Sequence, residues 1–452
     1  LLNPLLDFSG LPRFGAIRPE HIAPAVEQLL EEARAAMHHA EAAPATWDLF
    51  VRPLENATEH LSRAWGQVEH LHAVLDTPPL REAYNASLPR ITQFWTELGQ
   101  NERLFEKYRE LKASAAFAAL PAARRKMVAN ALRDFRLGGA ELPAALKPRY
   151  AAVQEELAAL AAKFSENVLD ATNAYSILIE DAKRLQGMPQ DALDAARELA
   201  QKDGKPGWKF NLQMPSYLPV MQYAEDRSLR ETLYRESATR AAEFGKAEWD
   251  NTPLIARILS LRKEDAALLG YANFAELSLV PKMAQSPRQV NEFLRDLAAR
   301  ARPFAERDLQ ELRAFARSEL GIAQLESWDL AFASEKLRAR RYAFSDQEVK
   351  QYFPESQVLP GMFDLVQRLY QIEITEQAAE TWHQDVRFFQ IRNAGGDLVG
   401  QFYLDLYARD TKRGGAWMDG AISRRRLAAS IQVPVTYLNC NFSRPLNTPA
   451  GA

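Results

Sequence analysis

The chain has 452 residues, enough for two or three domains or one large multi-lobed body. With 47% hydrophobic and 25% charged residues it has the composition of a soluble globular protein, and its net charge of -3 gives no electrostatic case for nucleic acid or an anionic membrane. No apolar run approaches the length needed to cross a bilayer, the opening LLNPLLDFSG lacks the basic region and apolar core of a signal peptide, and the lone Cys440 excludes an internal disulfide framework; a reducing, cytoplasmic setting is expected.

The first twenty residues are punctuated by Pro4, Pro12 and Pro19, and Pro19 suits the first turn of a helix, where its missing N–H costs little. That helix carries Ile22, Val26, Leu29, Leu30 and Ala33 on one face. Thr46 reads as the N-cap of a helix starting at Trp47. Helical patterns follow over residues 47–75, 79–98, 101–114 and 121–136, broken at Thr77-Pro78-Pro79, Gly99 and Pro121. Gly138-Gly139 marks a boundary. Beyond it Tyr150, Val153, Leu157, Leu160, Phe164 and Val168 recur at spacings of 3 and 4, predicting a long helix over 147–172 with a continuous packing seam. Residues 175–180 then read as a short strand that 208–214 can join as a ribbon, with a helix opened by Met188-Pro189 between them. Helices resume over 219–223, 226–242, 252–269 and 272–279. Ser286-Pro287 caps a helix that Pro303 should kink and Gly321 should end. Residues 328–341, 346–352 and 361–370 complete the helical part.

From Val386 the apolar period drops from about three and a half to two. Val386, Phe388 and Gln390 alternate with Arg387, Phe389 and Ile391. The turn Asn393-Ala394-Gly395-Gly396 leads into 398–406, which makes a hairpin. A third strand is expected at 416–418 and a fourth at 433–440, where Pro434 suggests an edge or a bulge. The predicted fold class is mainly α, multi-helix, with a small antiparallel or mixed sheet near the C-terminus. An exposed edge of such a sheet can bind an extended peptide through main-chain hydrogen bonds.

The residues that carry chemistry are sparse. The histidines are His21, His38, His39, His60, His70, His72 and His383, and no two have the i, i+4 spacing of an H-E-x-x-H helix. His70 and His72 diverge, as do His38 and His39. His383 and Asp385 can share a strand face, and a surface hydrogen bond is preferred there to a metal pair. KRGGAWMDG lacks the G-K-[ST] of a phosphate loop, and no G-x-S-x-G is present. Cys440, inside a predicted strand, reads as a buried inert thiol. Arg424-Arg425-Arg426 with Lys412 and Arg413 either attracts a substrate carboxylate or, the plainer reading, forms a solvated basic loop. Asp405, Tyr407 and Arg409 alternate, and an Asp405–Arg409 ion pair orienting the sheet is expected over a groove-lining role. Trp417 and Met418 are candidates for a peptide subsite, against simple core packing. Tyr437 and Asn439 offer polar tips to a bound peptide, against a buried hydrogen-bonded pair.

Read together, WHQDVRFFQI, GQFYLDLYARDTKRGGAWMDG and VPVTYLNCNFSRP closely resemble the thimet-oligopeptidase family of zinc peptidases, in particular its oligopeptidase A branch. NPLLDFSGLPRFGAIRPEHIAPAVE, NALRDFRLGGAELP, ENVLDATNAY, MPSYLPVMQYA and LRKEDAALLGYANFAELSLVPKMA carry the likeness across the whole chain. The resemblance implies a two-lobed, mostly helical fold around a deep narrow channel that admits short peptides and excludes folded proteins. It also implies an intracellular monomer, divided here as an N-terminal helical region 1–140, a central helical region with a β-ribbon 141–345, and the start of the catalytic lobe 346–452. In the family a zinc held by two histidines of an H-E-x-x-H helix and a later glutamate activates water, with the helix glutamate as general base.

In the family pattern that helix follows the N-F-x-x-P segment, here Asn441 to Pro445, and residues 1–452 contain none of it. No catalytic or metal-ligating residue and no bound zinc are therefore expected in this chain. The chain is expected to be the N-terminal portion of such an enzyme, inactive alone, with apolar surface left uncovered around 386–440. The alternative is a catalytically empty homologue that captures peptides on an exposed strand edge.

Overall fold

The computed structural model describes residues 3–344, 346–427 and 430–444. In chain order the helices are α1 (Ile22–Ala42), α2 (Arg52–Val74), α3 (Pro78–Gly99), α4 (Glu102–Ala113), α5 (Ala115–Ala119), α6 (Ala122–Leu137) and α7 (Lys147–Ala174). Strand β1 (Ser176–Ile179), helix α8 (Gln190–Lys202) and strand β2 (Trp208–Asn211) come next, followed by α9 (Met214–Tyr223), α10 (Arg227–Ala238), α11 (Thr252–Leu268) and α12 (Phe274–Leu279). Then come α13 (Pro287–Glu319), α14 (Leu330–Tyr342), α15 (Asp346–Lys350) and α16 (Glu355–Tyr370). The remaining strands are β3 (Ile372–Gln377), β4 (Arg387–Asn393), β5 (Leu398–Tyr407), β6 (Trp417–Ile422), β7 (Arg425–Arg426), β8 (Ile431–Gln432) and β9 (Val435–Phe442). The fold is mainly α with a small mixed sheet, as the periodicities predict. The chain divides into two compact units, whose boundaries fall inside α7 and α13 as well as in connections.

The first unit comprises Leu1–Ser165, Thr252–Leu294 and Ala379–Trp382. The predicted face of α1 is its buried face: Ile22, Val26, Leu29, Leu30 and Ala33 are all in the core. Thr46 caps as expected, its hydroxyl accepting from the Leu49 amide at 3.3 Å, but one π-helical turn, Trp47–Val51, precedes α2. Met37, Phe50, Leu54, Leu104, Tyr108, Val128, Leu132 and Phe135 close one core among α1, the turn before α2, α2, α4 and α6. The break at Gly99 and the pair Gly138-Gly139 serve one contact: a Cβ on Gly138 would lie 2.8 Å from the Cα of Gly99, so the ends of α3 and α6 touch backbone to backbone. His70 and His72 diverge as helical geometry requires. His70 packs edge-on to Trp382 at 4.2 Å, while His72 stacks on Tyr84 at 4.0 Å. Along α7, Tyr150 and Val153 of the seam are buried and Leu157, Leu160 and Phe164 half-buried. Gln154 donates to Asp265 of α11 at 2.9 Å.

The second unit comprises Glu166–Asn251, Arg295–Ala378 and His383–Ala452. The predicted ribbon forms: β1 and β2 pair antiparallel, with Ile177 opposite Phe210. Arg230 is fully buried, donating to Asp329 at 2.8 Å and to the Ala224 carbonyl at 2.6 Å, with its guanidinium 4.0 Å over Phe332. Helix α13 continues through Pro303 to Glu319, and Gly321, at φ +66°, follows as its C-terminal glycine, with the Ile322 amide returning to the Ala316 carbonyl at 2.9 Å.

The larger sheet has the order β3-β4-β5-β9-β6. All its pairs are antiparallel except β5 with β9. β3 is absent from the sequence reading; its signal is the short alternation Ile372, Glu373, Ile374 immediately after α16, where Gln371 turns the chain at φ 53°. β9 is an interior strand, so Pro434 marks no edge, but the bulge alternative holds: the β6–β9 register shifts beside it, between Gly420 and Ile422 opposite Thr436 and Val435. The proline sits just before the strand, and its carbonyl accepts from the Gln401 amide at 3.0 Å. The β4–β5 turn is held by Asn393, whose Oδ1 accepts from the amides of Gly395 and Asp397 at 2.9 and 3.0 Å. Both sheet faces are used. Leu359 and Phe363 of α16 pack on Phe389, Phe402 and Leu404, while α9 contacts β9.

Candidate peptide-binding edge

The sheet ends on β6, which is paired to β9 on one side and has no further strand beside it among the described residues. A polar knot fixes its approach. The Lys412 ammonium is fully buried, and its three N–H groups are shared among four oxygens: the Asp405 carboxylate at 2.8 Å, and the carbonyls of Asp405 at 3.1 Å, Tyr407 at 3.0 Å and Cys440 at 2.6 Å. Arg409 closes the other side of the carboxylate with donors at 2.8 and 2.6 Å. The expected Asp405–Arg409 pair is therefore present and orients the sheet. Lys412 is the correction: it belongs to neither a solvated basic loop nor a substrate-facing cluster, because it ties the ends of β5 and β9 to the loop before β6. Burial works to raise the Asp405 carboxyl, but hydrogen bonds and charge from Arg409 and Lys412 hold it below the ordinary carboxylate value. Burial likewise lowers Lys412, against the pull of Asp405.

The pleat separates the candidate subsite residues. Trp417 lies opposite Asn439 and Asp419 opposite Tyr437, so Trp417, Tyr437 and Asn439 share one face. Met418 lies opposite Leu438 on the other face and is 72% exposed. Trp417 is half-buried under the Arg413 guanidinium, 4.4 Å from the ring centre. Tyr437 and Asn439 are buried, and the Tyr437 ring lies 5.9 Å from that of Tyr403 on β5. Burial, then Tyr403 and Asp419, push the Tyr437 phenol well above its ordinary value and keep it neutral. Neither polar atom of the Asn439 amide has a hydrogen-bond partner among the described residues. The Cys440 thiol is half-buried and raised by burial, which fits an inert thiol.

Arg424 and Arg426 are exposed and Arg425 half-buried, with Arg425 and Arg426 forming β7 against β8. The expected uncovered apolar surface includes Val399, Met418, Leu438 and Phe442, at 40, 72, 37 and 59% exposure. Pro445 and the final NTPAGA lie outside the described residues.

His383 Nδ1 and Asp385 Oδ2 are 3.6 Å apart, and Arg444 occupies the same carboxylate at 2.6 Å. Burial, then Arg409, hold the His383 pKa below its ordinary value. Among the described residues no group of three or more His, Cys, Asp or Glu side chains is placed to hold a metal. The His383–Asp385 pair, with Arg444 on its carboxylate, does not fit a zinc ion.

Comparison with known proteins places this arrangement. The profile of Peptidase family M3 matches residues 220–450, and that of the Neurolysin/Thimet oligopeptidase N-terminal domain matches residues 26–147. Oligopeptidase A of Haemophilus influenzae is 46% identical over 454 residues, covering 99% of this chain and 67% of the relative. Oligopeptidase A of Escherichia coli is 44% identical over 453 residues with the same coverages. The probable cytosolic oligopeptidase A of Arabidopsis thaliana is 36% identical over 463 residues, covering 98% of this chain and 65% of the relative. The chain thus spans about two thirds of the length of these relatives, and it belongs to peptidase family M3, in the oligopeptidase A branch.

Proposed function

We propose that the chain is the framework and peptide-binding portion of a zinc-dependent oligopeptidase that hydrolyses short peptides in a deep channel, and that residues 1–452 alone hydrolyse none. The observation that carries the reading is family membership over 99% of the chain, combined with a sequence that contains no H-E-x-x-H. Without ligands or a general base, the water-activating step has no machinery in these residues. An extended peptide would add to the open side of β6 by main-chain hydrogen bonds, with Trp417 and Met418 on opposite faces of the strand and Tyr437 and Asn439 behind it. Zinc is the cofactor of the whole enzyme, short peptides are its partners, and nucleic acid and membranes are not. The division into regions 1–140, 141–345 and 346–452, a monomeric state for the whole enzyme and a cytoplasmic location complete the proposal. The cytosolic designation of one relative supports the location, and among the described residues no helix is long and apolar enough to cross a membrane.

The test is direct. Metal analysis of the purified chain should give no stoichiometric zinc, and a quenched fluorogenic peptide should stay uncut. Turnover that a chelator abolishes would overturn the reading. A second reading, a catalytically empty peptide-binding homologue, is favoured by the exposed edge alone. The encoding DNA separates the two: an in-frame H-E-x-x-H within a few dozen codons after Ala452 supports the enzyme, and a stop codon supports the binding protein.

A further inference from the structure

Helix α16 is apolar on two faces. Leu359 and Phe363 point to the sheet, with Phe363 5.1 Å from the Phe389 ring, and the Gln367 side chain accepts from the Ile374 amide at 2.7 Å. About a third of a turn away, Val358, Met362, Leu365 and Leu369 form a second row at spacings of 4, 3 and 4. These four are 40, 43, 58 and 67% exposed. Asp364 and Arg368 flank the row as an exposed ion pair at 2.7 Å. A helix apolar on more than one face is normally covered on each.

Gly361 lies beside this row, on the side of Asp364 and Arg368, and a Cβ there would meet nothing within 4 Å. A glycine inside a helix costs about 1 kcal/mol relative to alanine. The notch it leaves is useful where another backbone comes close. A 4-3-4 apolar row with a notch on its flank matches the packing face of a second helix.

We propose that this outer face of α16 is the seat of an amphipathic helix from the C-terminal third of the family's chain. The relatives are matched over 67% of their length, and residues 26–147 match the family's N-terminal domain, which puts the relatives' unmatched third on the C-terminal side. The inference rests on family membership and not on the proposed activity.

The test is a chimera carrying the C-terminal third of the Haemophilus influenzae relative after Ala452, compared with the 452-residue chain. Peroxide oxidation of Met362, read by mass spectrometry, should be at least about tenfold slower in the chimera, since thioether oxidation follows exposure. Leu365→Asp should lower the urea midpoint of the chimera and leave that of the 452-residue chain unchanged, while Arg368→Ala on the flank should change neither. Equal Met362 oxidation in the two proteins, or a chimera without a cooperative unfolding transition, overturns the proposal. So does a concentration-dependent dimer of the 452-residue chain that Leu365→Asp dissolves while the chimera leaves Met362 open; that result gives the face to a second copy. Cleavage of a fluorogenic peptide by the chimera reads the proposed function separately. An active chimera with unprotected Met362 sinks this inference alone, and an inactive one with protected Met362 sinks the function alone.

Discussion

Replacing Asp265 with Asn should stabilise the protein, and by an amount that depends on pH. Asp265 lies on α11 with its side chain in the core of the first unit, where its carboxylate accepts from the Gln154 side chain at 2.9 Å. The nearby Arg149 is engaged by Glu264 at 2.5 Å on the exposed side. Burial raises the Asp265 carboxyl from 3.8 to about 6, against the opposing hydrogen bond from Gln154. The folded chain therefore binds this proton more tightly than the unfolded chain. The stability associated with it is fully present below about pH 4 and is lost as pH rises to about 6. At 1.36 kcal/mol per pH unit, the ionised group costs about 3 kcal/mol at pH 7.5 and about half that at pH 5. Asn keeps the shape and the oxygen that accepts from Gln154, and removes the charge. Urea unfolding of both proteins at pH 5 and pH 7.5 should show Asp265→Asn more stable at each pH, with a gain larger by about 1.4 kcal/mol at pH 7.5. Equal gains at the two pH values, or a loss at pH 7.5, would refute burial as the cause.

Three further outcomes follow from the packing. Lys412→Met removes the buried ammonium that shares the Asp405 carboxylate with Arg409, together with its bonds to three carbonyls, so a loss of about 3–5 kcal/mol is expected in urea unfolding. Gly138→Ala forces the ends of α3 and α6 apart and should cost about 1–3 kcal/mol, whereas Gly10→Ala, with nothing within 4 Å of the new methyl, should be silent in the same thermal melt. Thr46→Ala removes the cap on the Leu49 amide and should cost about 1 kcal/mol, read from the same melts.

Local chemistry made much of the fold legible. The 3.6-residue periodicity placed α1 and α7, glycine and proline placed the ends of α3 and α13, and alternation placed the hairpin of β4 and β5. Each of these signals lies within one element or its cap, where neighbours in sequence are neighbours in space. The misses have the opposite character. In β3 only Ile372 and Ile374 are apolar, and Thr375, Glu376 and Gln377 that follow carry no hydrophobic period, so the strand is visible only once it pairs with β4. The interior position of β9 depends on β6 pairing to its far side, which a proline at its start obscured.

The candidate edge divides the same way. The residue types of GGAWMDG and TYLNCN are plain in the chain, and strand alternation alone puts Tyr437 and Asn439 on one face. That Trp417 joins them while Met418 faces away was decided by the β6–β9 register, a contact between segments some twenty residues apart. The burial of Lys412 was decided by three carbonyls from two strands that converge only once the sheet is assembled. Sequence by itself determined the helical texture, the hairpin, the family likeness and the lack of an H-E-x-x-H motif in these residues. Tertiary structure alone decided which charges are buried, that β3 and β6 are the strands at the sheet's edges and which face of α16 is left to solvent, because desolvation and register are set by segments distant in the chain.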